Sequence, residues 1–186
     1  MTWNGLRKGY ERLLECIVVL LMVLLTALVI AGAFFRYIGS ALSWYDEVAS
    51  IGLVWLTYYG AALAALRGAH IGVPGLVNAL PPRVRLLTTL FGEAIVIAFF
   101  IVLGITGVQV MLVLTGEHLV SLPSVPTQLT QSVIPVGSAL FIIAELLRLP
   151  DVLRAAAGRG FGDAEVEEAL THQSDDHEPV QMGETP

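Results

Sequence analysis

Three observations on the 186 residues predict an all-α integral membrane protein of four transmembrane helices. Hydrophobic residues make up 55% of the chain and charged residues 14%, where a soluble domain carries roughly 25% charged residues. Four apolar stretches each reach the length of about 20 residues that a helix needs to cross a hydrocarbon core of about 30 Å. No period-two alternation runs far enough to make barrel strands. The expected layout is a cytoplasmic N-terminal segment 1–12, a membrane domain 13–150 and a largely disordered acidic cytoplasmic tail 151–186. The spans fall near 14–35, 48–66, 86–114 and 126–149.

Span 1 is the run Cys16–Phe35, broken only by Thr26 and Gly32. Arg7, Lys8 and Arg12 precede it, and Ala31-Gly32-Ala33 resembles a leader-peptidase site. The run is too long for a signal-peptide core and continues through Phe34 and Phe35, so an uncleaved span is expected. Cys16, the only cysteine, reads as a small hydrophobe within it.

Span 2 follows a short loop ending in Ser43-Trp44-Tyr45-Asp46-Glu47. Ser43 with Asp46 three residues on fits a helix cap, and two carboxylates in a first turn suit the positive end of the helix dipole. Trp44 and Tyr45 are placed as interfacial aromatics. Gly60/Ala64 and Ala61/Ala65 put small residues four apart, a spacing that lets helix backbones approach closely in lipid. Their partner helix, from this chain or another, is left open.

The connection to span 3 contains His70 and an apolar segment from Pro74 to Leu80 suited to the membrane interface. Span 3, Leu86–Leu114, is 29 residues long, about 43 Å as a helix, and must tilt or protrude. The uncharged, proline-punctuated stretch Leu119–Pro126 precedes span 4. Pro135 removes the N–H that would bond the Gln131 carbonyl, so a kink is expected there, and Pro150 is expected to end the span.

Basic residues set the orientation. Arg7, Lys8, Arg12, Arg67, Arg83, Arg85, Arg148, Arg154 and Arg159 flank one side, and Arg36 alone flanks the other, which places both termini in the cytoplasm. The net charge of −6 belongs to the tail. Residues 163–186 hold Asp163, Glu165, Glu167, Glu168, Asp175, Asp176, Glu178 and Glu184 without a Lys or Arg. Nothing forms the basic patch that nucleic-acid binding requires.

Charges within a span are functional suspects. Glu15 sits at the edge of span 1 near Arg12, and Glu145 and Arg148 are three apart on one helix face. Glu93 is the sharper case, about 10 Å past Leu86. It has three candidate roles: holding a proton, pairing with a basic residue on another helix, or bonding a broken helix. Arg36 has Asp46 and Glu47 as mates across the short loop, or a lipid phosphate, or a docking protein. The histidines lie outside the spans, which argues against a haem protein. No phosphate loop, nucleophile elbow or metal-spaced cluster appears, so neither an enzyme nor a cofactor or metal site is expected. A solute route needs polar lining or unwound helices near the midplane. The chain reads as an accessory subunit. The alternatives are a self-sufficient proton-coupled exporter using Glu93 and an accessory subunit of another membrane complex.

The order of features resembles the small, DctQ-type membrane subunit of tripartite ATP-independent periplasmic (TRAP) transporters. The resemblance is carried by Arg36-Tyr37, Trp44 with Asp46-Glu47, Trp55, Gly60-Ala61, Arg67, His70, Leu80-Pro81 with Arg83, and Ile134-Pro135-Val136-Gly137. It covers residues 10–150. The chain departs from the pattern in having Asp46 where Glu is usual and in lacking aromatics across Thr127–Ser132. The resemblance implies a scaffold in the bacterial inner membrane, bound to a large permease that carries the solute and ions. A periplasmic solute-binding protein would deliver the solute, commonly an organic acid, with Na⁺ typically coupled. The implied partner-interface residues are Arg36, Trp44, Asp46, Glu47, Gly60, Ala64, His70 and Glu93, the first four forming an outer shelf toward the periplasm.

Overall fold

The computed structural model describes residues 3–68 and 80–158. His70, most of the Pro74–Leu80 segment and the acidic tail from 159 onward lie outside the described residues. Four helices are long and apolar enough to cross a membrane, and no strand occurs among the described residues. They are α1 (Trp3–Tyr37), α2 (Tyr45–Arg67), α3 (Pro82–Val113) and the pair α4 (Thr127–Gln131) and α5 (Val133–Ala157). Each runs opposite to the one before it. The start of α1 meets the end of α5, where Arg7 is ion-paired with Asp151. This is the terminal end, and the far end is the loop end.

The helices form a row in the order α1, α2, α5, α3. The last helix in sequence is therefore central. A third of its most apolar stretch is buried, against 6% for α1 and for α3. Where α2 and α5 meet, Leu14, Ala62, Ala65, Leu66, Phe141 and Ala144 make the core, and Val96 and Phe100 of α3 pack onto it. Phe100 and Phe141 stack with ring centroids 3.6 Å apart. Small residues set the spacing. A Cβ on Gly137 would lie 2.7 Å from Tyr58, and one on Gly107 would lie 2.7 Å from Ile134, so α5 approaches α2 and α3 along backbone without side chains. Leu20, Val23 and Phe34 on α1 and Phe91, Phe99 and Val102 on α3 face outward.

The helix ends correct several expectations. Ser43 does not cap α2: Trp44 holds the N-cap position without a side-chain bond, and the Val48 N–H bonds the Trp44 carbonyl. The interruption in the last span lies at Ser132, one turn before Pro135, where the Gln131 carbonyl loses its donor. The ladder resumes with the Val136 N–H on the Ser132 carbonyl at 3.1 Å. The helix also continues through Pro150 to Ala157. Tertiary bonds hold this last stretch. Val152 and Ala156 are buried, and buried Arg85 donates from Nε to the Ala156 carbonyl at 2.7 Å and from Nη2 to that of Gly158. A guanidinium on the last carbonyls also meets the negative end of the helix dipole.

Candidate functional site

At the loop end, the residues of the expected shelf separate into two groups. Arg36 and Asp46 line one cleft between the end of α1 and the start of α2, floored by Gly32. Neither Asp46 nor Glu47 is ion-paired with Arg36 among the described residues, which corrects that pairing. Glu47 turns instead toward the connection between α3 and α4. Its Oε2 accepts from the Ser121 N–H at 2.9 Å and from the Ser121 hydroxyl, and its Oε1 accepts from the Val120 N–H at 3.3 Å. The same connection is closed by the Leu119 N–H on the Val125 carbonyl (3.1 Å) and the Thr127 N–H on the Glu117 carbonyl (2.9 Å). The carboxylate therefore fixes two loop donors that the proline-broken chain leaves without helical partners. Trp44 is half-buried at the N-cap position of α2. Trp55 ties α2 to α4 by donating to the Thr130 carbonyl at 3.1 Å.

Along α2, the stripe buried within the chain is Ala62, Ala65 and Leu66. Gly60 and Ala64 are only partly covered, and a Cβ on Gly60 would meet nothing within 4 Å. Of the two small-residue pairs, Ala61/Ala65 borders the internal core and Gly60/Ala64 does not.

At the terminal end, Glu93 of α3 faces Arg148 of α5 at 4.0 Å, and Arg148 also reaches Glu145 at 3.4 Å. Pairing with a basic residue on another helix, one of the roles open to Glu93, is observed. Glu15 pairs with Arg67 of α2 at 3.3 Å rather than with Arg12, and Glu11 joins the same guanidinium at 2.9 Å. Sequence reasoning missed Arg85, Ser121 and Tyr10. The Tyr10 hydroxyl donates to the Leu140 carbonyl at 2.7 Å, tying α1 to the central helix. Only Tyr10 carried a signal, as a polar-tipped aromatic set among the charged residues Arg7, Lys8, Glu11 and Arg12.

Among the described residues, no group of His, Cys, Asp and Glu could hold a metal ion, and no buried side-chain N or O lacks a hydrogen-bond partner. The buried polar groups of the described residues are engaged with one another or with backbone.

The family model described as "Tripartite ATP-independent periplasmic transporters, DctQ component" matches residues 25–155. A protein assigned as a TRAP transporter small permease in Haemophilus influenzae is 33% identical over 93 residues, covering 50% of this chain and 53% of that protein. The C4-dicarboxylate TRAP transporter small permease protein DctQ of Vibrio cholerae is 32% identical over 90 residues, 48% of this chain and 39% of that protein. The chain thus spans about half or less of the length of these relatives. With the family match running from the middle of α1 to the end of α5, the chain belongs to the DctQ component family of tripartite ATP-independent periplasmic transporters, as a multi-pass membrane protein.

Proposed function

We propose that the chain is the scaffold subunit of a TRAP-type secondary transporter in the bacterial inner membrane, with both termini cytoplasmic. It braces a large permease that carries the solute and the coupling ion, Na⁺. A periplasmic binding protein delivers the solute, an organic acid. The observation that carries this reading is the family match across residues 25–155. The row of helices supports it: α1 and α3 present long apolar flanks, and the described polar residues tie helix to helix rather than lining a route between them. The terminal end holds every described Lys and Arg except Arg36, which supports a cytoplasmic assignment for that end. The C4-dicarboxylate in the name of the Vibrio relative supports an organic acid as solute.

In this reading, Arg36, Trp44, Asp46 and Glu47 form the periplasmic shelf, and Gly60, Ala64 and His70 lie toward the large permease, while Glu93 serves the pair with Arg148 within the chain. Reversing both charges as Asp46→Lys with Glu47→Lys is expected to lower recovery of the assembled transporter, or solute uptake, at least about tenfold, the loss expected when a charged hydrogen-bond acceptor is removed. Affinity purification from native membranes and an uptake assay read the two effects. Normal assembly with full uptake rejects the shelf.

Gly60 separates internal from external packing. Gly60→Leu is expected to leave the stability of the isolated chain unchanged or raise it by up to about 1 kcal/mol, since a Cβ there meets nothing within 4 Å and leucine is the better helix former. The same variant should reduce co-purification of the large permease several-fold. Undiminished co-purification removes Gly60 and Ala64 from the interface.

A further inference from the structure

The cleft at the loop end has a volume of about 390 Å³, within the roughly 300–1,000 Å³ usual for small-ligand sites. Its lining changes character along α1. Val29, Gly32 and Ala33 supply an apolar strip, and Arg36, seven residues beyond Val29 and therefore about 10 Å further along the helix, supplies a cation. From α2 come Tyr45 and Asp46. The Tyr45 ring lies against Gly32 so closely that any Cβ there would be 2.2 Å from it, so the floor depends on that glycine. Arg36 and Asp46 are both exposed, and neither has an ion-pair partner among the described residues although they line one cleft. Arg36 is also the only described cation at this end of the row.

Two opposite charges that share a cleft without neutralising each other, above an apolar strip at the end of membrane-crossing helices, match an amphiphile whose head carries both signs. We infer that the cleft holds one phospholipid with a phosphoethanolamine headgroup, its phosphate on the Arg36 guanidinium and its ammonium on the Asp46 carboxylate. The guanidinium fork fits phosphate oxygens in a bidentate pair. The primary ammonium has N–H donors for the carboxylate, whereas the quaternary nitrogen of choline has none and a glycerol head has no cation. The first methylenes of one acyl chain run along Val29 and Ala33. Discrimination among lipids therefore rests on Asp46, and retention of any phospholipid rests on Arg36.

The test is native mass spectrometry of the full chain in mild detergent, with phosphatidylethanolamine, phosphatidylcholine and phosphatidylglycerol of identical acyl chains supplied together. The wild type is expected to retain one phosphatidylethanolamine about tenfold over either competitor, the scale set by one charge-assisted hydrogen bond. Asp46→Asn should level phosphatidylethanolamine with phosphatidylcholine, and Arg36→Gln should lower retention of all three. Ala33→Phe, at a position already exposed, should fill the apolar strip and reduce retention while the helical circular dichroism is unchanged, which keeps the test decisive if Arg36→Gln folds poorly. Equal retention of phosphatidylethanolamine and phosphatidylcholine by the wild type, or an undiminished preference in Asp46→Asn, overturns the inference. Displacement of the lipid by an equal concentration of water-soluble phosphoethanolamine also overturns it, because the ligand then comes from solution.

Discussion

Arg148→Met is expected to destabilise the chain by about 3–5 kcal/mol, the cost of breaking a buried ion pair from one side. The guanidinium serves two carboxylates on two helices, Glu145 at 3.4 Å and Glu93 at 4.0 Å. These side chains are only 2% and 16% exposed, so little water is at hand to solvate the charges left behind. Arg148 also lies under the end of α2, where a Cβ on Gly68 would be 3.2 Å from Nε. Gly68 has φ +71° and ends α2 in a left-handed turn, so this close approach belongs to the helix stop itself. One side chain therefore joins α2, α3 and α5, and methionine, which reaches only as far as Nε, keeps the apolar stem and removes the charged head. Arg148→Lys is expected to recover part of the loss, because it keeps the charge but replaces the planar guanidinium, whose Nη1 faces both carboxylates, with a compact ammonium on a different stem. Glu93→Gln should cost only about 1 kcal/mol, since the Arg148–Glu145 pair survives and the amide still accepts a hydrogen bond. Thermal unfolding in detergent, followed by circular dichroism, orders the three. An Arg148→Met midpoint indistinguishable from wild type would mean that the cluster is solvated and that the three-helix junction described above is wrong. The ordering also bears on Glu93 as a proton carrier for a self-sufficient exporter. A carboxylate held by a cation shared with its neighbour is placed to join helices, and a mild Glu93→Gln phenotype agrees with that role.

The four spans were legible because crossing a bilayer demands length and hydropathy, and both are written residue by residue. The order of the helices was not. In lipid an outward face and an inward face are equally apolar, so no amphipathic stripe identifies α5 as central. Glycines at 107 and 137 identify it only once their neighbours Ile134 and Tyr58 are known. The same ambiguity governs α2. Gly60/Ala64 and Ala61/Ala65 read alike in sequence, yet only the second pair borders the core. Charged residues were easier to flag than to pair. Glu93 stood out as expensive, and its partner lay on the list of alternatives. Glu15 and Glu47, by contrast, passed over their sequence neighbours for Arg67 and for the Val120–Ser121 backbone. Short loops bring sequence neighbours near each other without aiming their side chains, and an unsatisfied N–H in an apolar turn outcompetes a solvated arginine. Pro150 misled for a related reason. Local rules end a helix there, but the buried Arg85 bonds and the packing of Val152 and Ala156 carry it another two turns.

Gly137→Leu tests the central contact of the row and is expected to cost at least about 3 kcal/mol, the upper end for overpacking. The positions of the Tyr58 atoms explain why. A Cβ on residue 137 would lie 2.7 Å from both Tyr58 Cβ and Cδ1. Ring atoms can swing away with a new rotamer, but a Cβ is fixed to its backbone, so no side-chain movement relieves the overlap and α2 must separate from α5. Separation is costly on both sides of α5. Ser138, 1% exposed, sits beside Gly137, and α3 is already held at Ile134 and Pro135 through Gly107. The core residues Ala62, Ala65, Phe141 and Ala144 lie along the same seam and would lose contact together. Gly137→Ala brings the same Cβ and should already cost about 1–3 kcal/mol, which distinguishes a backbone clash from a volume effect. Gly92→Ala is the matched control. It is a helical glycine in α3 with nothing within 4 Å of an added Cβ, so better helix propensity should leave stability unchanged or raise it by up to about 1 kcal/mol. If Gly137→Ala and Gly92→Ala have the same effect in thermal unfolding, the two central helices do not meet through backbone at residue 137, and the row must be packed around larger side chains.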